Sequence, residues 1–459
     1  VENSWAHRKV TILGLAKTGR ATAMYLAMRG AQVLVSESSE LNEENQSHAN
    51  ELAQHGVKVE SGSHSEEAIA SADLIVTSPG IKPNSEVIGR CNRLGKEVIC
   101  DVELAYREST MPIVAITGTN GKSTTTALIS FLLTQAGHSA PACGNFGVPV
   151  LAALETKPDF LVIEVSSYQA YYTKQFAPQV GVFLNLTPDH LEWHGGLDNY
   201  LAAKSTIFNR MDSSQVAVYN WDDALVARTK TNATIFPFSV SKELKNFLQS
   251  TYIETGYIAC SYGGRTNLLS ATKDLQILGV HNLENALAAV SAVTALKLSP
   301  EQITSGLTKF AGLEHRLEYV DTIDGVRCFN DSKATNTDSA IKALQSFKEK
   351  IVLIAGGRDK GTSLDEFVQA IRKHTSAVIL LGEAKNRFEK AMVEGGVQNI
   401  YSVNNLEEAV DLGVGLKHGP LVLSPACASF DMFKDFEDRG SVFKDIVRSR
   451  RKKVATSSH

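Results

Sequence analysis

The chain has 459 residues, 43% hydrophobic and 21% charged, with 46 basic against 50 acidic side chains and a net charge of −4. That length exceeds one ordinary hydrophobic core and suggests about three domains; the mild acidity gives no reason to expect nucleic acid or a membrane surface as partner. Six scattered cysteines without a Cys-x-x-Cys pair argue against a disulfide framework or a zinc site and fit reduced thiols. No apolar run reaches the ~18 residues of a membrane span, and Val1–His7 lacks a signal-peptide core. A cytoplasmic location is the expectation.

The first hundred residues alternate strand and helix. Val10–Leu13 reads as a strand, Arg20–Met28 as a helix, and Gln32–Val35, Leu74–Thr77 and Glu97–Ile99 as further strands. Strands separated by helices imply parallel pairing through crossovers, a doubly wound unit. Gly14–Gly19 approximates G-x-G-x-x-G with Ala16 at the middle glycine, and Glu37 lies where a dinucleotide-binding protein places its ribose acid. A nicotinamide-dependent oxidoreductase is one reading of this region, although it leaves the loop at 117–124 unexplained. Asp101–Arg107 reads as a connecting helix.

A second α/β unit opens with the strand Ile113–Ile116, followed by Phe160–Ile163 and Val180–Leu184, apolar enough to be buried on both faces of a parallel sheet. Its first strand runs into Thr117-Gly118-Thr119-Asn120-Gly121-Lys122-Ser123-Thr124 and then into the apolar helix Ala127–Leu133. Strand, glycine loop and helix in that order bring backbone N–H groups and a helix N-terminus onto a phosphate. Lys122 can reach β- and γ-phosphates, and the Ser123 hydroxyl can hold Mg2+. Ile116 stands where the common pattern has its first glycine, so a tight turn with an exposed lysine is the alternative.

Glu164 follows its strand directly, placed either to hold Mg2+ beside the loop or to end the strand in water. His190, in 185–192, is a second-metal ligand, a substrate contact, or an ordinary loop histidine. Lys204, in the helical stretch 200–204, reads from its residues alone as a surface lysine. Near Gly312 the alternation restarts, and Lys350–Ala355, Ala377–Leu381 and Leu421–Leu423 read as strands of a third unit. The basic run 448–453 reads as a solvated helix end. The expected architecture is α/β in three domains: Rossmann-like at 1–108, central and P-loop ATPase-like at 109–312, and Rossmann-like again at 313–459. A nucleotide-driven switch without ligation is a competing reading, but it has no need of Glu164, His190 and Lys204 together.

Taken in order along the whole chain, the blocks at 118–124, 144–147, 185–190, 281–286, 312–316 and 330–336 resemble the Mur ligase family, the ATP-dependent amide-bond ligases of peptidoglycan precursor synthesis. That family's loop has the shortened glycine pattern seen here. The blocks at 164–169, 356–361 and 424–431 are similar to the member that adds D-glutamate. The resemblance implies ATP and two Mg2+ ions as cofactors, UDP-N-acetylmuramoyl-L-alanine and D-glutamate as substrates, and a monomer. Gly118, Thr119, Asn120, Gly121, Lys122, Ser123 and Thr124 would cradle ATP, with Asn282, Asn285, Arg316 and Asp331 as further nucleotide contacts. Ser123, Glu164, His190 and a carbamylated Lys204 would hold the metals, and Lys122, Glu164, His190 and Lys204 would carry catalysis. Lys17, Thr18, Glu37, Ser78, Pro79, Gly80 and Asn145 would bind the UDP-linked substrate. Thr335, Lys360, Ser429 and Phe436 would bind D-glutamate, with Lys333 in the same block.

Overall fold

The computed structural model describes residues 5–359, 361 and 363–457, from Lys452 onward by backbone alone. Contacts divide the chain into two compact units, Val1–Asp274 with Glu284–Thr308, and Leu275–Leu283 with Lys309–His459.

The first unit carries two sheets. One has five parallel strands in the order Lys58–Glu60, Gln32–Ser36, Lys9–Leu13, Leu74–Thr77, Val98–Ile99. Chain order reverses between Lys9–Leu13 and Leu74–Thr77, the switch point at which open α/β sheets leave a crevice at the strands' carboxyl ends. Gly14 sits in that crevice at φ +102, where a Cβ would collide with the Ser78 hydroxyl. The second helix of this region, Glu43–Gln54, and the short strand Lys58–Glu60 were not legible, being polar and brief.

The other sheet orders nine strands as Arg265–Ala271, Tyr257–Tyr262, Ser250–Glu254, Thr234–Ser239, Val216–Asn220, Val180–Phe183, Ile113–Thr117, Leu161–Glu164, Ala142–Gly144. Every residue of Ile113–Thr117, Leu161–Glu164 and Val180–Phe183 is buried, as their unbroken apolar runs require. Pairing is parallel up to Ser250–Glu254 and antiparallel beyond it, a hairpin extension that the expectation of a parallel sheet did not contain.

One apolar core runs between these two sheets. Helix Asp101–Glu108 fastens them: the buried Glu103 carboxylate accepts the N–H groups of Lys174, Gln175 and Phe176 at 2.8–3.1 Å and the Arg107 guanidinium at 2.8 Å. Such a carboxylate is fully satisfied, which is what makes its burial tolerable.

The second unit holds six strands in the order Glu318–Ile323, Val326–Asn330, Leu421–Leu423, Ile351–Gly356, Thr375–Leu381, Ile400–Ser402. The first pair is antiparallel and the others parallel. Leu353 and Ala355 enter one apolar cluster while Val352 and Ile354 enter another, so this strand is covered on both faces. All six cysteines are buried, and none is in a disulfide. No helix among the described residues is long and apolar enough to cross a membrane.

Candidate active site

Strand Ile113–Thr117 delivers the chain into the loop, and helix Lys122–Gln135 leaves it with no side-chain cap at its N-terminus. Gly118 (φ +151) and Gly121 (φ +83) hold conformations unfavourable to L side chains. Space is restricted as well: a Cβ on Gly118 would press on Leu184 and Asn185, and one on Gly121 would collide with Asn285 Oδ1. Asn285 is itself anchored by Thr125 Oγ1 at 3.2 Å. The loop's outer side is held by Asn185, whose Oδ1 accepts Asn120 N at 2.8 Å and whose main-chain oxygen accepts Thr119 N at 3.0 Å. Asn185 was part of a recognised block but had no role assigned; its position two residues past the end of strand Val180–Phe183 was the available signal.

Lys122 Nζ folds over the loop, donating to Gly118 O at 3.0 Å and Thr119 O at 2.9 Å. Lys204 Nζ reaches the same Gly118 oxygen at 2.7 Å. The reading of Lys204 as a surface lysine is overturned: it is 1% exposed. Helix Leu197–Ser205 turns this face inward, and the Tyr200 ring lies 4.7 Å from the amine. Burial, and then the charge of Lys122, push the Lys204 amine well below the usual lysine range, opposed by Asp189 and Glu164. Burial thus disfavours the charged amine, and its neutral form would be a nucleophile rather than a cation. Tyr200, four residues before Lys204 on the same helix, also meets Thr119 Oγ1 at 3.2 Å, and that spacing could have revealed it.

Glu164 is the last residue of its strand and lies in register with Ile116, beside the loop. It does not end the strand in water, being 2% exposed. Its Oε1 accepts Asn145 Nδ2 at 2.7 Å, whereas its Oε2 is buried without a hydrogen-bond partner. An orphaned carboxylate oxygen is costly until a cation or donor meets it. That is the observation that fits Mg2+, a hard ion that takes oxygen ligands. Among the described residues no group of three or more His, Cys, Asp or Glu side chains is placed to hold a metal by itself.

His190 adopts φ +51, is about half exposed, and lies 3.5 Å from the Asp189 carboxylate and 5.0 Å, ring to ring, from Tyr168. His194, one turn on, is buried between Trp193, Tyr168 and Tyr200 and meets Ser167 Oγ at 3.0 Å. Burial, then the charges of Lys204 and His190, push its imidazole down to about 4. These rings tie the His190 loop to the segment following Glu164.

Around the first sheet's crevice, Glu37 Oε2 accepts Leu15 N at 2.9 Å and its Oε1 accepts Ser39 N at 3.2 Å. Burial opposes ionisation of Glu37, but these N–H donors outweigh it and hold the carboxyl below its usual range. Lys17 Nζ donates to Gly147 O at 2.9 Å, and Thr18, in the first turn of helix Lys17–Ala27, accepts Thr22 Oγ1 on its carbonyl. Ser78 Oγ is buried and unpartnered, Pro79 is half-buried and Gly80 is exposed.

In the second unit Asp331 is buried, with Ser424 Oγ on its Oδ2 at 2.7 Å and Leu317 N on its Oδ1 at 3.2 Å. Burial pushes its carboxyl up to about 7 against those bonds. Arg316 is exposed, and Asn282 donates to Leu278 O at 2.8 Å. Thr335 is half-buried, Ser429 buried, and the Phe436 ring lies 3.6 Å from Lys333 Nζ. Lys360 lies outside the described residues. Arg439 was not singled out, yet its buried guanidinium joins Ser332 to the carbonyls of Cys427 and Ala428. No local pattern marks it, since its partners are remote in sequence.

Three family models match the chain: the Mur ligase MurD-like N-terminal domain over 8–100, the Mur ligase middle domain over 116–293, and the Mur ligase glutamate ligase domain over 315–425. The chain is 39% identical to the UDP-N-acetylmuramoylalanine--D-glutamate ligase of Pelotomaculum thermopropionicum over 98% of its own length and 99% of that protein's. It is also 39% identical to the ligase of the same name from Halalkalibacterium halodurans, covering 95% of this chain and 96% of that one. Among solved structures it shares the fold of UDP-N-acetylmuramate-alanine ligase MurC from Thermotoga maritima, with TM-score 0.60 and 18% identity over 96% of this chain and 100% of that one. A pseudomurein peptide ligase from Methanothermus fervidus aligns at TM-score 0.55 and 20% identity, over 96% and 100% of the two chains.

Proposed function

The chain belongs to the Mur ligase family, and we propose that it joins D-glutamate to UDP-N-acetylmuramoyl-L-alanine with conversion of ATP to ADP and phosphate. What supports this reading most directly is the pairing of two lysine amines on the Gly118 oxygen with the unpartnered Glu164 carboxylate oxygen one strand away. We assign it three domains, at 1–108, 109–312 and 313–459, and a place in the cytoplasm.

A carboxylate resists attack by an amine until one of its oxygens becomes a leaving group. The γ-phosphoryl group of ATP passes to the alanyl carboxylate, giving an acyl phosphate. The amine of D-glutamate adds to its carbonyl, and the tetrahedral intermediate expels phosphate. Negative charge grows first on phosphoryl and then on carbonyl oxygens, so fixed cations near both are the main catalytic resource. Lys122 leaves the loop carbonyls to meet the β- and γ-phosphates, while the glycine turn and the uncapped helix N-terminus receive the phosphate chain. Ser123, Glu164, His190 and Lys204 would hold two Mg2+ ions, which would supply further charge neutralisation and alignment when bound. Lys204 is prepared for this by burial, which disfavours its charged form: the neutral amine adds carbon dioxide and releases a proton, becoming a carbamate with oxygen ligands. The nucleotide also meets Asn282, Asn285, Arg316 and Asp331. Lys17, Thr18, Glu37, Ser78, Pro79, Gly80 and Asn145 hold the UDP-linked substrate; Thr335, Lys360, Ser429 and Phe436 hold D-glutamate, whose two carboxylates call for cationic and hydroxyl donors.

The test is phosphate release from Mg-ATP. Release is expected only when both UDP-N-acetylmuramoyl-L-alanine and D-glutamate are present; equal release without D-glutamate overturns the ligase reading.

A further inference from the structure

We propose that His64 reads the uracil ring of the nucleotide-linked substrate, its Nε2 accepting the ring's imide N–H. This rests on the assignment of the UDP moiety to the first sheet.

Ser36 and Glu60 end the neighbouring strands Gln32–Ser36 and Lys58–Glu60 and lie in register. They stand at the same carboxyl edge as Gly14, Glu37 and Ser78, where a doubly wound sheet receives a nucleotide. Ser36 Oγ is 2.6 Å from Glu60 Oε1 and 2.7 Å from His64 Nδ1. A serine hydroxyl has one proton to give, and an ionised carboxylate can only accept. The Ser36 proton therefore points to Glu60, and its oxygen must accept from His64. Nδ1 of the imidazole thus carries the hydrogen. In a neutral ring that leaves Nε2 with a lone pair and no proton.

Both protonation states follow from the surroundings. Burial disfavours the Glu60 anion, but the Ser36 and Ser65 hydroxyls and the Ser65 N–H outweigh it and keep the carboxyl below its usual range. Burial, then the Arg90 charge, hold His64 below the ordinary imidazole range against the pull of Glu37 and Glu60. Arg90 Nη1 also donates to the His64 carbonyl at 2.8 Å, fixing the residue's backbone. His64 is only partly buried, and its Nε2 has no hydrogen-bond partner among the described residues. It is a fixed acceptor beside Glu37, the acid assigned to the same substrate. Uracil presents an N–H at position 3, whereas cytosine presents a lone pair there. A fixed acceptor welcomes the first and repels the second, and polar mismatches of this kind discriminate strongly.

The test is calorimetric binding of UDP and CDP to the full chain, with nitrogen-15 NMR of the His64 ring. Wild type is expected to prefer UDP by at least about tenfold, one net hydrogen bond's worth. Asparagine in His64→Asn can still donate to Ser36 but has nothing at the Nε2 position, so UDP affinity falls about tenfold and the preference collapses. His64→Gln places an amide oxygen near that position and retains most of the preference. In wild-type protein the ring proton is expected on Nδ1, with the Nε2 resonance moving when UDP binds. A UDP-to-CDP ratio unchanged in His64→Asn, or a free ring protonated at Nε2, overturns the proposal. Should His64→Asn not fold, the wild-type NMR measurement decides. Failure of wild type to bind UDP at all would instead remove the substrate assignment itself.

Discussion

The glycine loop at 118–124, proposed to hold phosphate, and the blocks at 330–336 and 424–431, proposed to hold D-glutamate, are built by opposite means. In the loop, backbone conformation does the shaping: Gly118 and Gly121 occupy positive φ, where a Cβ would press on Leu184 at the first and collide with Asn285 at the second. In the second unit a remote side chain does it. The Arg439 guanidinium, itself buried, gathers oxygens from Ser332, Cys427 and Ala428. Phosphate is recognised mainly by N–H groups and a helix N-terminus, which any sequence can supply if its glycines permit the turn. Choosing one amino acid over another needs side chains, and these can be recruited from segments a hundred residues apart.

Four substitutions would break or sharpen that contrast. Lys122→Ala should lower kcat about a thousandfold or more with little change in melting temperature, because it removes charge from the transferring phosphoryl group and leaves the turn intact. Phosphate-release kinetics and thermal melts check this. Lys204→Ala should cost roughly a hundredfold, and a short carboxylic acid in the buffer should restore part of the rate; full activity without it would dismiss the carbamate. Arg439→Met should act differently, raising the KM for D-glutamate about tenfold and leaving that for ATP nearly unchanged. It should also lower Tm by roughly 4–8 °C, since buried carbonyls lose their donors. A uniform loss for all substrates would erase the distinction between the two regions.

The smallest effect concerns Asp331, whose carboxyl burial raises from 3.8 to about 7. The folded chain then binds this proton more tightly than the unfolded chain. Its contribution to stability is complete below pH about 4 and is lost as pH rises through 7. Asp331→Asn should flatten that slope and raise Tm near neutrality by a few degrees, as thermal melts across this range would show.

The same contrast explains what could be read in advance. Ile113–Thr117 and its loop were legible because strand, glycines and helix are contiguous, and Leu421–Leu423 because a buried strand is an unbroken apolar run. The hairpins at 250–271 were not, since their partly exposed, polar strands give a weak pattern. Lys204 was misread for a related reason: its helix has almost no amphipathic contrast, so nothing local reveals that this face turns inward beneath Gly118. His64 and Arg439 carry no local signal either. Each acquires meaning only through the partners that tertiary structure brings to it.

The most direct measurement follows oxygen rather than rate. With UDP-N-acetylmuramoyl-L-alanine labelled with oxygen-18 in the alanyl carboxylate, transfer of the γ-phosphoryl group to that carboxylate puts one labelled oxygen into each phosphate released. Recovery of phosphate carrying a single label from the carboxylate is the predicted result. Unlabelled phosphate alongside normal product formation would contradict an acyl phosphate, and with it the chemistry assigned to Lys122, Glu164 and Lys204.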